Sequence, residues 1–315
     1  SEPKYKIRDR FTDIEPPQSG VYKILAISNQ TDRKNEWVYF VELKWIHDGP
    51  EYEYKAIKEK DIGRCYKKIK RPMQKETKTW FASWFDTPYY HILYKDRDHA
   101  EAQLFIDNLN QYLNLPEDAQ VLDLACGRGR HSVYLNKLGH KVIGADLSEN
   151  SINYAKQFEN DTLKFVVHDM RQPFEEKFDT ILNLFTSFGY FPDEKDNLTT
   201  LKAIQESLTE YGLAVLDFMN AEKVIKNLVP SEVKTVEGID FHITRKFEDG
   251  FIYKNIKFED DGESFDFTER VRALTLEDFE KMMDEAGIFL LDIFGNYKLQ
   301  KFNNEESDRL IMIFK

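Results

Sequence analysis

The sequence predicts an α/β fold: a mostly parallel sheet covered by helices on both faces, preceded by a small β-rich module. Three observations lead there. Between residues 98 and 219, short apolar runs of strand character alternate with stretches of helical periodicity, the pattern of βαβ units. The first 70 residues show instead β-branched and aromatic runs separated by turn residues. The charge divides at nearly the same place. Residues 1–78 carry 18 Lys/Arg against 13 Asp/Glu, a net of +5, and residues 79–315 carry 26 against 43, a net of −17. Such a split marks two modules with different partners.

The bulk numbers narrow the class further. A chain of 315 residues with 41% hydrophobic content can bury a sizeable core, and 32% charged residues with a mean hydropathy of −0.59 imply a solvated surface. No run approaches the roughly 18 apolar residues of a membrane span, and no apolar leader follows the first residues. Two cysteines, Cys65 and Cys126, are too few for a disulfide framework and too far apart for a metal knuckle. A cytoplasmic protein with no metal site and no membrane partner is expected.

In the first module, residues 20–27 and 37–46 read as strands around a polar turn at 28–35, and 52–57 as a third strand after the turn residues 47–50. That spacing fits a small twisted barrel of SH3-like or Tudor-like type. The module is expected to span residues 1–70. Residues 64–78 hold seven basic residues and one acid, suiting either a solvated connector, with the linker placed at 71–79, or a phosphate-contacting strip.

The second module, residues 80–315, opens on an aromatic segment, 80–94, followed by a helical face over 98–113. Strands are expected at 121–124, 141–146, 163–167, 178–185 and 213–219, with helices at 131–138, 148–157 and 196–209 between them. After Met219 the alternation breaks. Residues 241–272 read as antiparallel strands joined by the turns Glu248–Gly250 and Asp260–Glu263, within an insertion set at 234–272. Thr275 caps a helix with acids in its first turn, and 289–296 and 309–314 read as closing strands.

Chemistry concentrates at the strand ends. Residues 121–130 read as a buried strand, a tight glycine turn at Gly127 and Gly129, and a helix start whose N–H groups can face a ligand. Asp123 sits before the turn, and Asp146 lies 23 positions later at the end of the next strand, a pairing that points to a bound nucleoside. No G-x-G-x-x-G occurs, which disfavours a dinucleotide.

From about residue 80 to 315 the chain resembles the class I S-adenosylmethionine-dependent methyltransferases. Asp123–Gly129 matches that family's first motif, Gly144–Ser148 its second, His168–Met170 its third, and Asn183–Tyr190 occupies the fourth. The resemblance implies a doubly wound, seven-stranded Rossmann-like sheet with an antiparallel last strand. It implies S-adenosyl-L-methionine as cofactor and S-adenosyl-L-homocysteine as product. In that reading Asp123 orients backbone amides and reaches the methionine amino group, while the Ala125, Cys126, Gly127 and Gly129 backbone passes beneath the methionine and ribose. Asp146 accepts the ribose hydroxyls with Leu147 beside it, Asp169 accepts from the adenine amine, and the Met170 N–H donates to a ring nitrogen. Asn183 and Phe185 line the fourth motif. Asp146 and Asp169 also suit simple capping of the helices that follow. Arg130 stands where a third glycine is common in the family, a change that bears on packing. The segment 80–113 resembles a cap, in which Tyr90 or Tyr94 reaches the cofactor carboxylate, although aromatic packing explains the same residues.

The acceptor is less legible. Methyl transfer from a sulfonium is an in-line displacement in which alignment can carry much of the rate, so no base need be present. His91 and Tyr190 are the candidates for a catalytic group. The fourth motif lacks the [DNS]-P-P-[YFW] arrangement of nucleic-acid amino-methyltransferases, and neither cysteine suits pyrimidine C5 chemistry. The favoured expectation is a small-molecule acceptor. The alternative is an RNA-modifying enzyme docking RNA through residues 1–78, with Trp37, Tyr39, Trp45, Tyr52 and Tyr54 as stacking faces. A non-catalytic protein that keeps the cofactor fold is the third.

Overall fold

The structure, a computed structural model, describes the backbone of residues 10–13, 20–28, 38–45, 52–58, 66–69, 84–85, 87–94 and 99–315, with side chains for 84–85, 87–94 and 101–315. The chain forms two compact units, Ser1–Met73 and Gln74–Lys315. The first contains a five-stranded antiparallel sheet of β1 (Arg10–Asp13), β2 (Gly20–Ser28), β3 (Val38–Trp45), β4 (Tyr52–Lys58) and β5 (Tyr66–Ile69), in the order β4-β3-β2-β1-β5. The three longer strands lie where β-branched and aromatic runs place them. The two four-residue strands were not expected, and β5 occupies part of the basic stretch read as a connector. Their sequences, Arg-Phe-Thr-Asp and Tyr-Lys-Lys-Ile, are too short and polar to show a period. The side chains proposed to stack on RNA lie outside the described residues, as does Cys65.

The second unit holds a seven-stranded sheet in the order β15-β16-β10-β9-β6-β7-β8. Its strands are β6 (Gln120–Leu124), β7 (Lys141–Asp146), β8 (Leu163–Val167), β9 (Phe178–Asn183), β10 (Leu208–Met219), β15 (Leu290–Phe294) and β16 (Arg309–Phe314). The pairs from β10 through β9, β6 and β7 to β8 are parallel, and β16 runs antiparallel to both neighbours. This is the doubly wound, mostly parallel sheet with an antiparallel last strand that the sequence predicts. Alternation along β6 shows why both faces are covered. Val121 packs with Phe105, Leu135 and Ile152, from α2 (His99–Leu113), α3 (Arg130–Lys137) and α4 (Glu149–Ala155). Leu122 and Leu124 join the opposite core with Leu201, Ile204, Phe279 and Met283, from α5 (Glu194–Glu206) and α6 (Leu276–Ala286).

Two details depart from the sequence reading. The fourth strand ends at Asn183 rather than 185, because Phe185 and Thr186 take positive φ values of 58° and 60°, which extended pairing does not allow. The strand insertion opens at Ser231: β11 (Ser231–Val236), β12 (Ile239–Glu248), β13 (Phe251–Asp260) and β14 (Glu263–Arg272) form an antiparallel meander. Its turns carry Gly238, Gly250 and Gly262 in the left-handed region.

The aromatic segment docks on this meander. Thr87 caps α1 (Pro88–Leu93), accepting from the Tyr90 amide, and Pro88 opens the helix where no donor is required. Trp84, Tyr89, Ile92 and Leu93 pack with Phe241, Ile243, Phe258 and Phe265. Glu269 accepts from Trp84 Nε1 at 2.6 Å and from the Tyr94 hydroxyl at 2.7 Å through one oxygen, and Lys254 pairs with the other at 3.8 Å.

Candidate active site

The crevice in such a sheet opens where the strand order reverses, between the carboxyl ends of β6 and β9. The chain after β6 turns tightly there. Ala125, Gly127 and Gly129 alternate in the left-handed region at φ 66°, 56° and 79°, a tight turn that the Gly129 amide closes by donating to the Cys126 carbonyl at 3.0 Å. The Ala125 and Cys126 amides donate to the Ala145 carbonyl at 2.7 and 3.0 Å, so the turn is anchored to β7.

The two glycines serve different ends. A Cβ on Gly129 would lie 2.5 Å from the Phe165 ring, whereas a Cβ on Gly127 would meet no described atom within 4 Å. Gly129 is therefore needed for packing, and Gly127 leaves open space. Asp146 binds this turn directly: one carboxylate oxygen accepts from the Gly127 amide and the other from the Ser148 amide, both at 2.8 Å. The glycine turn and the end of β7 are thus joined through the carboxylate expected to meet the ribose. Leu147, next in sequence, is 45% exposed.

Asp123 is only 2% exposed, and its Oδ2 accepts from Ser132 Oγ at 2.6 Å. Burial, helped by the neighbouring Asp146 charge and opposed by the Ser132 bond, pushes its pKa up to about 6. Burial likewise raises the Cys126 thiol well above its ordinary value. At the end of β8 the Arg171 guanidinium grips Asp169, with bonds at 2.6, 3.0 and 3.1 Å, and holds that carboxyl below the usual range. Arg171 also reaches Asp196 at 3.1 Å, tying this strand end to the start of α5. Met170 packs on the core beside it.

Asn183 ends β9 with 1% exposure. Its Nδ2 donates to the Leu124 carbonyl at 3.0 Å, and its buried Oδ1 has no hydrogen-bond partner among the described residues. An acceptor in that condition at the crevice fits a ligand N–H. The Phe185 ring, just beyond, stacks on His131 at 4.6 Å, so the fourth motif touches the helix that the glycine turn begins. Tyr190 donates its hydroxyl to the Thr186 carbonyl at 2.7 Å, and its ring meets Phe85 of the cap segment at 5.5 Å. Tyr90 packs against Phe85, Trp84, His91 and Tyr94.

Sequence reasoning missed Arg171, Asp217, Tyr297, Arg309 and Glu269. A signal existed for two of them. Asp217 is an ionisable residue inside the apolar run 213–219, and Arg309 opens the apolar strand 309–314.

The open space at Gly127, the carboxylate fixed beside it and the orphaned Asn183 oxygen fit an adenosyl cofactor, and the seven-stranded sheet is the Rossmann-like fold of the class I S-adenosylmethionine-dependent methyltransferases. Residues 121–212 match the family described as "Methyltransferase domain". The chain is 29% identical over 195 residues to the Bacillus subtilis (strain 168) protein named "Putative methyltransferase YqeM", covering 58% of this chain and 79% of the relative. It is 27% identical over 218 residues to the glycine/sarcosine N-methyltransferase of Halorhodospira halochloris, covering 66% and 78%. A solved S-adenosylmethionine-dependent methyltransferase from Clostridium acetobutylicum ATCC 824 shares the fold with a TM-score of 0.62 at 24% identity, covering 72% of this chain and 95% of that one.

Proposed function

We propose that this chain transfers a methyl group from S-adenosylmethionine to a small or modest-sized acceptor, with a small-molecule amine as the favoured class. The observation that carries the reading is the Asp146 carboxylate fixed by the Gly127 and Ser148 amides beside the open space at Gly127. The amine preference draws on the glycine/sarcosine N-methyltransferase similarity, which spans two thirds of this chain.

When bound, the sulfonium supplies an activated methyl group and a neutral thioether leaving group. The protein's own residues bind and align. Asp146 receives the ribose hydroxyls, and the side-chain-free backbone at Gly127 leaves room for the methionine and ribose. Asp169 and the Met170 amide receive the adenine edge, and Asn183 Oδ1 accepts from the methionine ammonium. Asp123 acts one step back, since its bond to Ser132 fixes the first turn of α3 below the glycine turn. Phe85, Tyr90 and Tyr190 form the aromatic side on which an acceptor is held in line with the methyl group. An amine acceptor must shed its proton before attack; His91 and Tyr190 are the groups proposed to handle it.

Calorimetric titration with S-adenosylhomocysteine tests the reading, together with radiolabelled methyl transfer to glycine, sarcosine, amino sugars and bulk RNA. Wild-type protein is expected to bind the product and Asp146→Ala to lose at least about tenfold in affinity, a loss of about 1.4 kcal/mol. Absence of binding by the wild type overturns the proposal. Labelling of RNA alone replaces the small-molecule acceptor with the RNA alternative.

A further inference from the structure

The sequence motifs stop at the loop after β9, but the structure shows what holds that loop in shape. Phe185 and Thr186 are consecutive non-glycine residues with positive φ, a strained arrangement that persists only where its surroundings fix it. The fixing group is Asp217, near the carboxyl end of β10 and 0% exposed. Its Oδ2 accepts from the Phe185 amide at 2.8 Å, and its backbone carbonyl accepts from the Thr186 amide at 3.0 Å. Arg309 completes the arrangement: Nε donates to Asp217 Oδ1 at 2.8 Å and Nη2 to Thr186 Oγ1 at 2.9 Å. The Tyr297 hydroxyl approaches Asp217 Oδ2 at 3.4 Å.

Register explains how residues so distant in sequence meet. β16 runs antiparallel to β10 with Arg309 opposite Met219, so the first residue of β16 lies at the same sheet edge as the loops after β6, β7 and β9. The far side of the strained turn is the Phe185 ring, stacked on His131 at 4.6 Å. His131 is the second residue of the helix that starts at the glycine turn.

We propose that Asp217 and Arg309 are positioning residues that set the Phe185–Thr186 turn against the glycine turn, so that one wall of the adenosyl-cofactor site forms only while this ion pair is intact. The inference rests on the methyl-donor reading above. It adds a dependence of that site on two residues outside all four motifs, neither of which has to touch the cofactor.

The test uses the full chain with Asp217→Asn, Arg309→Leu and Arg309→Lys, at temperatures where each variant is folded by circular dichroism. Two quantities are read: amide hydrogen exchange of residues 184–190 in the ligand-free protein, and calorimetric affinity for S-adenosylhomocysteine. For Asp217→Asn and Arg309→Leu, exchange at 185 and 186 is expected to rise, and affinity to fall, by about tenfold or more, as loss of a charge-assisted bond implies. Arg309→Lys keeps the charge and is expected to recover part of both. A purely structural pair would lower the melting temperature and leave affinity unchanged below it, and folded variants within about twofold of wild type in affinity overturn the proposal. If Asp217→Asn does not fold, the two Arg309 variants decide. If the wild type itself fails to bind, the methyl-donor reading falls, and unchanged exchange in the variants then separately refutes the clamp.

Discussion

Replacing Gly127 and Gly129 by alanine, one at a time, separates binding from folding within a single turn. Both residues have positive φ, 56° and 79°, so each substitution carries a left-handed penalty of about 1–2 kcal/mol. Their surroundings differ. The added Cβ at Gly129 would sit 2.5 Å from Cε1 and Cζ of Phe165, about 1 Å inside normal carbon contact. The ring cannot retreat, because it also lies 2.6 Å from the Cβ position of Gly144 and is 2% exposed. Overpacking of this kind adds about 1–3 kcal/mol, giving about 2–5 kcal/mol for Gly129→Ala. Gly127→Ala meets no described atom and stays at about 1–2 kcal/mol. At about 2–4 °C per kcal/mol for a unit of this size, the expected melting shifts are about 2–8 °C for Gly127→Ala and about 4–20 °C for Gly129→Ala. Affinity runs the other way, because the Gly127 Cβ enters the space assigned to the cofactor. At a temperature where both variants are folded, Gly127→Ala should lose at least about tenfold in S-adenosylhomocysteine affinity. Scanning calorimetry and isothermal titration measure the two quantities. Undiminished affinity in Gly127→Ala would refute the placement of the ligand over that glycine, and equal melting shifts would refute the account of Phe165.

Two further outcomes concern a buried and a half-buried carboxyl group, Asp123 and Glu269. The Asp123 carboxyl has a folded pKa of about 6 against an unfolded 3.8, so its contribution to stability is fully present below about 4 and is lost as pH rises through about 6. The shift corresponds to about 3 kcal/mol; urea titrations of ligand-free protein between about pH 4 and 7.5 should show this slope flattened in Asp123→Asn, and an unchanged slope would assign the pH dependence elsewhere. In the cap, Glu269→Ala removes the shared acceptor of Trp84 and Tyr94 and should cost about 1–3 kcal/mol by urea denaturation, whereas Glu269→Gln keeps that acceptor and most of the stability. Equal losses in the two variants would mean that charge, rather than the shared bond, holds the segment.

The glycine turn and the acids at the strand ends were legible because their requirements are local and fall on the main chain. Glycines at fixed offsets after a strand, and acids at successive strand ends, write themselves into short stretches such as 123–129 and 144–148. The mostly parallel sheet covered on both faces followed from the same alternation of runs. The opposite half was not legible, because its partners are separated by long intervals: Asp217 with Phe185 and Arg309, Glu269 with Trp84 and Tyr94. Only register and packing bring such residues together, and no local period encodes either. Gly144 shows the same limit on a smaller scale. Its place in the second motif is readable, but its reason is partly the Phe165 ring and the Ser132 hydroxyl that a Cβ would meet at 2.6 and 2.8 Å.

This division has a consequence for how the acceptor is chosen. The side proposed to hold the cofactor is a glycine turn fixed by main-chain bonds and by the Asp146 carboxylate, bonds that most substitutions leave in place. The other side is assembled from side chains of four separate segments: the α1 region, the loop 184–190 and the strands β10 and β16. Each can change its side chains without altering the glycine turn, provided the strained Phe185–Thr186 geometry survives. That proviso falls on Asp217, a buried carboxylate with a main-chain amide on one oxygen and a guanidinium on the other. A carboxylate so placed cannot be exchanged for another residue without leaving an amide or an arginine unsatisfied in the interior. The expected pattern is a side-chain surface open to change in Tyr90, Tyr94 and Tyr190, set on two fixed supports, the Asp146 turn and the Asp217 clamp.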